Sequence, residues 1–259
     1  MRIESLGLRT DFMFYRFFSE LIDRSDRVVV RTPDNPSFHW GNLIVYPEGP
    51  SGNDYQRWTR DFKEEFDELP LVRHMTFTWD SVSSRTDTRE FVREGFEYGA
   101  TTVLVAEGSL SPQYPNREVD LKIAQSDDDW RGISEFHIRL NPLGQDVDEY
   151  RKVAEQQFAE YRRMTKQGFG NWYFATFENR IVADLGLFDE DGVARFQNIE
   201  TAPEWRRRGI AQTLMAFAAD SSRAKTFVVQ ADSDDSVVDL YKSLGFTARE
   251  TLEDLCWYK

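Results

Sequence analysis

From Asn171 to Thr201 the chain reads NWYFATFENRIVADLGLFDEDGVARFQNIET, three mostly apolar runs separated by Glu178-Asn179-Arg180 and by Asp191-Gly192. Runs of this length, broken by residues that tolerate tight turns, predict three antiparallel strands joined as hairpins. Directly behind them stands APEWRRRGIA, Ala202 to Ala211, followed by a helical stripe of Ile210, Leu214, Phe217 and Ala218. Strands delivered one after another into a turn and then a buried helix predict an α/β order built on a mixed sheet.

The flanking segments extend that order. Upstream, VDLKIAQ (Val119 to Gln125) reads as a strand, and Ser126 is placed to cap a helix opening on Asp127, Asp128 and Asp129, whose charges oppose the positive end of the helix dipole. Tyr150, Val153, Ala154, Phe158 and Tyr161 then form the apolar stripe of a core-facing helix. Downstream, TFVVQA (Thr226 to Ala231) is a strand, Val238 to Leu244 a short helix closed by Gly245, and Phe246 onward supplies the last strands. The order from Val119 is therefore β-α-α-β-β-β-α-β-α-β-β.

The first half alternates similarly. Val28 to Val30 and Phe38 to Tyr46 read as strands, Asp54 to Leu69 as a helix, His74 to Asp80 as a half-buried strand, Asp87 to Gly99 as a helix ended by Gly95, and TTVLVAE as a strand. SLSPQYPNR (Ser109 to Arg117), with two prolines and little apolar material, is the expected linker. Two domains follow, residues 1–114 and 115–259.

A chain of 259 residues with 40% apolar and 14% aromatic residues has ample material for folded cores. Its 45 acidic against 32 basic residues, a formal charge of -13, argue against general nucleic-acid binding, which depends on neutralising phosphates. An acidic surface serves solubility or favours cationic small molecules. The lone Cys256 allows no intramolecular disulfide, and neither a secretory leader nor a membrane span is expected. A cytoplasmic monomer or homodimer is the expected setting. No metal site is expected: His39 and His74 are few and dispersed in sequence, and the DSDD run (Asp232 to Asp235) reads as a helix entry.

Within that acidic chain the basic turn needs a reason. Where a strand ends and a helix starts, several backbone N–H groups lack helical partners and the dipole is positive, which together favour an anion. Arg206 to Ala211 are placed to wrap a diphosphate with N–H groups, Gly209 permitting close approach; the plainer reading makes the three arginines a solvated first turn.

Pro203 to Ala211 resembles the acetyl-CoA signature of the GNAT acyltransferase superfamily, Arg/Gln-x-x-Gly-x-Gly/Ala between a strand and a helix, with Arg206, Gly209 and Ala211 in the three specified places. LYKSLGF (Leu240 to Phe246) is similar to the family's late Leu-Tyr-x-x-x-Gly-Phe element. The family often has an asparagine seven residues before that tyrosine; here Asp234 stands there, able to cap the helix but not equivalent as a cofactor contact. The resemblance covers roughly Val119 to Lys259.

It implies a GNAT-like, mostly antiparallel mixed sheet flanked by helices. It also implies direct acetyl transfer from acetyl-CoA to the amine of a small acceptor, with no acyl-enzyme and so no nucleophilic role for Cys256. Ile199, Thr201, Arg206, Arg207, Arg208, Gly209, Ile210, Ala211, Gln212 and Asp234 are the expected coenzyme contacts. Backbone N–H groups near Glu200 and Thr201 would polarise the thioester. Tyr241 is the candidate acid for the leaving thiolate, or else a packed aromatic; Glu200 is the candidate base, or else a solvated strand-end carboxylate.

The first half carries a faint echo. FVREGF (Phe91 to Phe96) aligns with YKSLGF (Tyr241 to Phe246), with phenylalanine in the tyrosine's place, and PEGPSGNDYQRW lacks Arg-x-x-Gly-x-Ala. A degenerate GNAT-like domain that does not bind acetyl-CoA is expected, bracing the active copy or shaping its acceptor cleft. Phe38, Trp40, Tyr46, Trp58 and Trp79 either line such a cleft or pack in a core. Two other classes of function stay open: a module that binds or senses acyl-CoA without turnover, and a structural protein that has lost the coenzyme in both halves.

Overall fold

The computed structural model describes residues 1–80, 86–141, 144, 146–232 and 237–258. In chain order the elements are α1 (Leu6–Phe18), β1 (Glu20–Asp23), β2 (Val28–Arg31), β3 (Leu43–Tyr46), α2 (Tyr55–Phe66), β4 (His74–Trp79), α3 (Arg89–Arg93) and β5 (Glu97–Glu107). There follow β6 (Asp120–Ile123), α4 (Asp127–Leu140), α5 (Val147–Lys166), β7 (Gly170–Phe177), β8 (Arg180–Glu190), β9 (Val193–Thr201), α6 (Ile210–Asp220), β10 (Thr226–Asp232), α7 (Val237–Ser243) and β11 (Thr247–Tyr258). They divide into two compact units, one of Met1–Leu104, Gln230–Asp235 and Ala248–Lys259, the other of Val105–Val229 and Ser236–Thr247.

In the first unit β1, β2 and β3 run antiparallel, β3 and β4 pair in parallel through Ile44↔Phe77, and β11 joins β4 antiparallel through Leu255↔Phe77. The core is aromatic. Trp58 stacks on Tyr46 with ring centres 4.0 Å apart, Phe77 and Phe91 close around them, and Tyr46, Trp58 and Trp79 are buried. Those three residues therefore pack in a core, whereas Phe38 stays exposed and Trp40 half-buried.

Two expectations need correction here. Only Leu43–Tyr46 of the Phe38–Tyr46 run is strand; His39–Gly41 form a short 3-10 turn. Buried Asn42 closes that turn, its side chain accepting from Thr32 N–H and donating to the carbonyls of Asn35 and Phe38. The helix expected over Asp87 to Gly99 shrinks to Arg89–Arg93 because Gly95, at φ +92°, turns the chain so that the Phe96 N–H reaches the Phe91 carbonyl. His39 and His74, far apart in sequence, have ring centres 6.2 Å apart. Burial, aided by their mutual repulsion, lowers the His39 pKa to about 4, and burial also depresses His74.

In the second unit β6, β7, β8 and β9 are antiparallel neighbours, and β9 pairs with β10 in parallel. Both hairpin turns hold two residues at positive φ, Glu178 and Asn179, then Asp191 and Gly192, matching the right-handed twist of their strands. Ser126 caps α4 in a capping box: its hydroxyl accepts from Asp129 N–H, and the Asp129 carboxylate accepts from Ser126 N–H. Phe246 onward is one long strand, β11, rather than two.

The echo between the halves is structural as well as sequential. The order helix-β-β-β-helix-β-helix-β runs from α1 to β5 and again from α5 to β11, with parallel pairing at the same step, β3 with β4 and β9 with β10. Gly245, at φ +101°, repeats the Gly95 turn, and Phe246 N–H reaches the Tyr241 carbonyl as Phe96 does Phe91.

Candidate active site

Strand β9 is irregular where chemistry is expected. Its register with β8 slips between Gly186↔Gln197 and Asp184↔Glu200, and Asn198 within the slip has φ +47°. Such a bulge turns backbone N–H and C=O groups out of the ladder. On its other side β9 pairs with β10 only as far as Arg195↔Val228, so Phe196 to Thr201 run on without that partner. Ile199, Glu200 and Thr201, all half-buried, stand on this freed end.

The chain then makes a short 3-10 turn at Pro203–Trp205, passes through exposed Arg206, Arg207 and Arg208, and enters α6 at Gly209. Arg207 at φ +62° and Gly209 at φ +75° bend it tightly. Gly209 at the N-cap has no side chain with which to cap α6, a helix start of the kind at which an anion is favoured. The Ser109–Arg117 segment packs behind this turn. Asn116 donates to the Arg208 carbonyl, and its own N–H is received by the Thr213 hydroxyl, which donates to the Gly209 carbonyl.

The arginine side chains have separate duties. Arg206 donates to the Thr201 carbonyl and lies 4.0 Å from the Glu200 carboxylate, bracing the strand end. Arg208 lies over the Trp205 ring at 4.6 Å. Ile210 is buried, Ala211 half-buried, and buried Gln212 donates to Ser243 at the end of α7, which fastens the two helices together. On α7, Tyr241 is buried with its ring 6.1 Å from Phe246. Asp234 lies outside the described residues.

Beneath Glu200 lies a group that sequence reasoning overlooked. Asp184, its partner across β8 and β9, is fully buried, and both its oxygens are within 3.0 Å of His137 Nε2 from α4. Trp172 Nε1 donates to the same carboxylate at 3.0 Å. Burial opposes a charge on His137, but the charge and hydrogen bond of Asp184, with a smaller contribution from the Glu200 charge, together outweigh it and raise the imidazole above its ordinary pKa. Burial likewise raises Glu200, with His137 and Arg206 pulling it down and Asp184 pushing it further up. Tyr150 on α5 is raised by burial and by the charges of Glu200 and Asp184. The available signals were an imidazole on the Trp130-Ile133-His137 stripe of α4 and a carboxylate in the apolar run VADLGLF.

Among the described residues no set of three His, Cys, Asp or Glu is placed to hold a metal ion, and no helix is long and apolar enough to cross a membrane.

Residues 168–248 match the family model described as the acetyltransferase (GNAT) domain. No curated protein matches the chain. Among solved structures it is similar to a functionally unknown conserved protein from Staphylococcus epidermidis, TM-score 0.78 at 14% identity over 96% of this chain and 97% of that one. It is also similar to a GCN5-related N-acetyltransferase from Kribbella flavida, TM-score 0.65 at 14% identity over 97% and 95%. A third is a tandem GNAT protein from the clavulanic acid biosynthesis pathway, TM-score 0.55 at 12% identity over 83% and 75%. At these identities the likeness is one of fold. Residues 168–248 thus carry the match to the acetyltransferase (GNAT) domain, in a chain whose fold is similar to that of GNAT structures, a tandem GNAT protein among them.

Proposed function

We propose that this protein is an acetyl-CoA-dependent N-acetyltransferase that acts on a small amine. The observation that carries the reading is the run from the bulge at Asn198, through a strand end free of β10, into the uncapped first turn of α6. Backbone N–H groups from Arg207 to Gln212 hold the coenzyme's diphosphate, the Arg206 N–H being taken by the Pro203 carbonyl, and those near Glu200 and Thr201 face the acyl carbonyl, where negative charge develops.

The amine must be neutral to attack. Its nitrogen bonds to the thioester carbon, its surplus proton passes to Glu200, and collapse breaks the C–S bond. The departing thiolate takes a proton from the Tyr241 hydroxyl, which solvent restores. Glu200 suits its part because burial leaves it more basic than an exposed carboxylate. The excess of 45 acidic over 32 basic residues favours cationic acceptors.

Thiol release measured over a panel of primary amines tests the proposal, with calorimetry against acetyl-CoA alone. Binding without turnover on any amine would replace the enzyme with a coenzyme-binding module; absence of binding would leave a structural protein.

A further inference from the structure

The polar cluster under Glu200 is more than a way of anchoring α4 to the sheet. His137 is 3% exposed and Asp184 0% exposed, a costly place for two ionisable groups unless each satisfies the other. Asp184 can only accept, so His137 Nε2 carries the proton between them, and the Trp172 N–H takes a further acceptor site on the carboxylate. Asp184 and Glu200 are direct cross-strand partners, which puts their side chains on one face of the sheet, the face that α4 brings His137 to. Four groups therefore surround the Glu200 carboxylate electrostatically: His137 from α4, Tyr150 from α5, Asp184 from β8 and Arg206 from the turn.

Of these, Arg206 is exposed and its effect is screened by solvent; the buried pair is not. We propose that His137, held by Asp184, is a positioning residue for Glu200, setting by its charge the acidity at which that carboxylate accepts the proton of an attacking amine. The inference rests on the acetyltransferase reading. It treats the pair as a graded control: the imidazolium favours the ionised base, and the Asp184 charge opposes it.

The test compares kcat/KM against pH for the wild type, His137→Gln, Asp184→Asn and Trp172→Phe, using the best amine of the panel. His137→Gln keeps a donor for Asp184 but removes the positive charge, so the acidic limb moves to higher pH by about half to one unit. Asp184→Asn removes the opposing carboxylate but also the charge that keeps the buried imidazole protonated, so the two effects offset and the limb moves less than in His137→Gln. Trp172→Phe removes one hydrogen bond without changing charge, and leaves the limb in place whatever it does to stability. If all three variants lose activity with an unmoved limb, the cluster is only structural and the inference fails.

A second measurement covers variants that do not fold and an enzyme whose amine is not found. Because coupling is reciprocal, Glu200→Gln must lower the titration midpoint of His137 followed by NMR of ring-labelled histidine. An unchanged midpoint overturns the inference independently of turnover. Failure of the acetyltransferase reading shows itself differently, as wild-type protein that releases no thiol with any amine.

Discussion

The backbone carbonyl of Tyr114 lies so close to Gly209 that a β-carbon on the glycine would stand 1.9 Å from its oxygen. Gly209 also has φ +75°, which disfavours any L side chain. The glycine that opens α6 is thus required twice, by its own backbone and by the segment packed behind it. Gly209→Ala is expected to lower the unfolding free energy by about 3 kcal/mol, read by chemical denaturation. Asn116→Ala, which removes the hydrogen bond to the Arg208 carbonyl together with those the side chain accepts from the Glu118 and Val119 N–H groups, should cost about 1–3 kcal/mol.

Gly209→Glu drives a longer side chain into the Tyr114 carbonyl packed against the turn and so displaces the first turn of α6, where the diphosphate is proposed to sit. Calorimetry should show no heat with acetyl-CoA, although circular dichroism at low temperature still reports a folded protein.

Tyr241 is buried on α7, and its proposed part is a single proton. Tyr241→Phe keeps the ring packed against Phe246 while removing that proton. A fall in kcat of about 100-fold with little change in the KM for acetyl-CoA is expected from steady-state kinetics. An unchanged kcat would assign the leaving-group proton elsewhere.

Asp254 in the first unit has its pKa raised to about 6 by burial, with the charge of Asp232 adding to the effect. A carboxyl whose folded value is raised adds stability only while protonated. That contribution is complete below about 4, the unfolded value, and is lost as pH climbs through about 6. Asp254→Asn should therefore be more stable than wild type at pH 8 by on the order of 2 kcal/mol, the gain disappearing near pH 4 in denaturation curves.

His137 has the same sign by a different cause, because its partner Asp184 raises it. The stability it confers is full below its ordinary value of about 6.5 and fades as pH rises through the higher folded value. Wild type minus His137→Gln, measured by denaturation, should shrink as pH rises across that window.

Much of this fold was legible because its signals are local. The hairpins at Glu178-Asn179 and Asp191-Gly192 need residues that accept positive φ, and Ser126 with Asp129 writes out a capping box in four letters. The Phe91–Phe96 and Tyr241–Phe246 turns share a glycine for the same reason, so the repeat could be read as well. The basic turn at Arg206 was legible as the junction of a strand end and a helix, which exposes N–H groups whatever surrounds it.

What tertiary structure alone decided concerns partners distant in the chain. Nothing in TARETLEDLCWY states that β11 will pair with β4, since an apolar strand pairs with whichever edge the fold presents. Only the fold shows that the Arg206 side chain braces the Thr201 carbonyl and that Gln212 ties α6 to α7. His137 and Asp184 carried little meaning apart, a lone imidazole and a lone carboxylate in apolar runs. Burial is a property of the whole fold, and only burial makes those two groups depend on each other and act on Glu200.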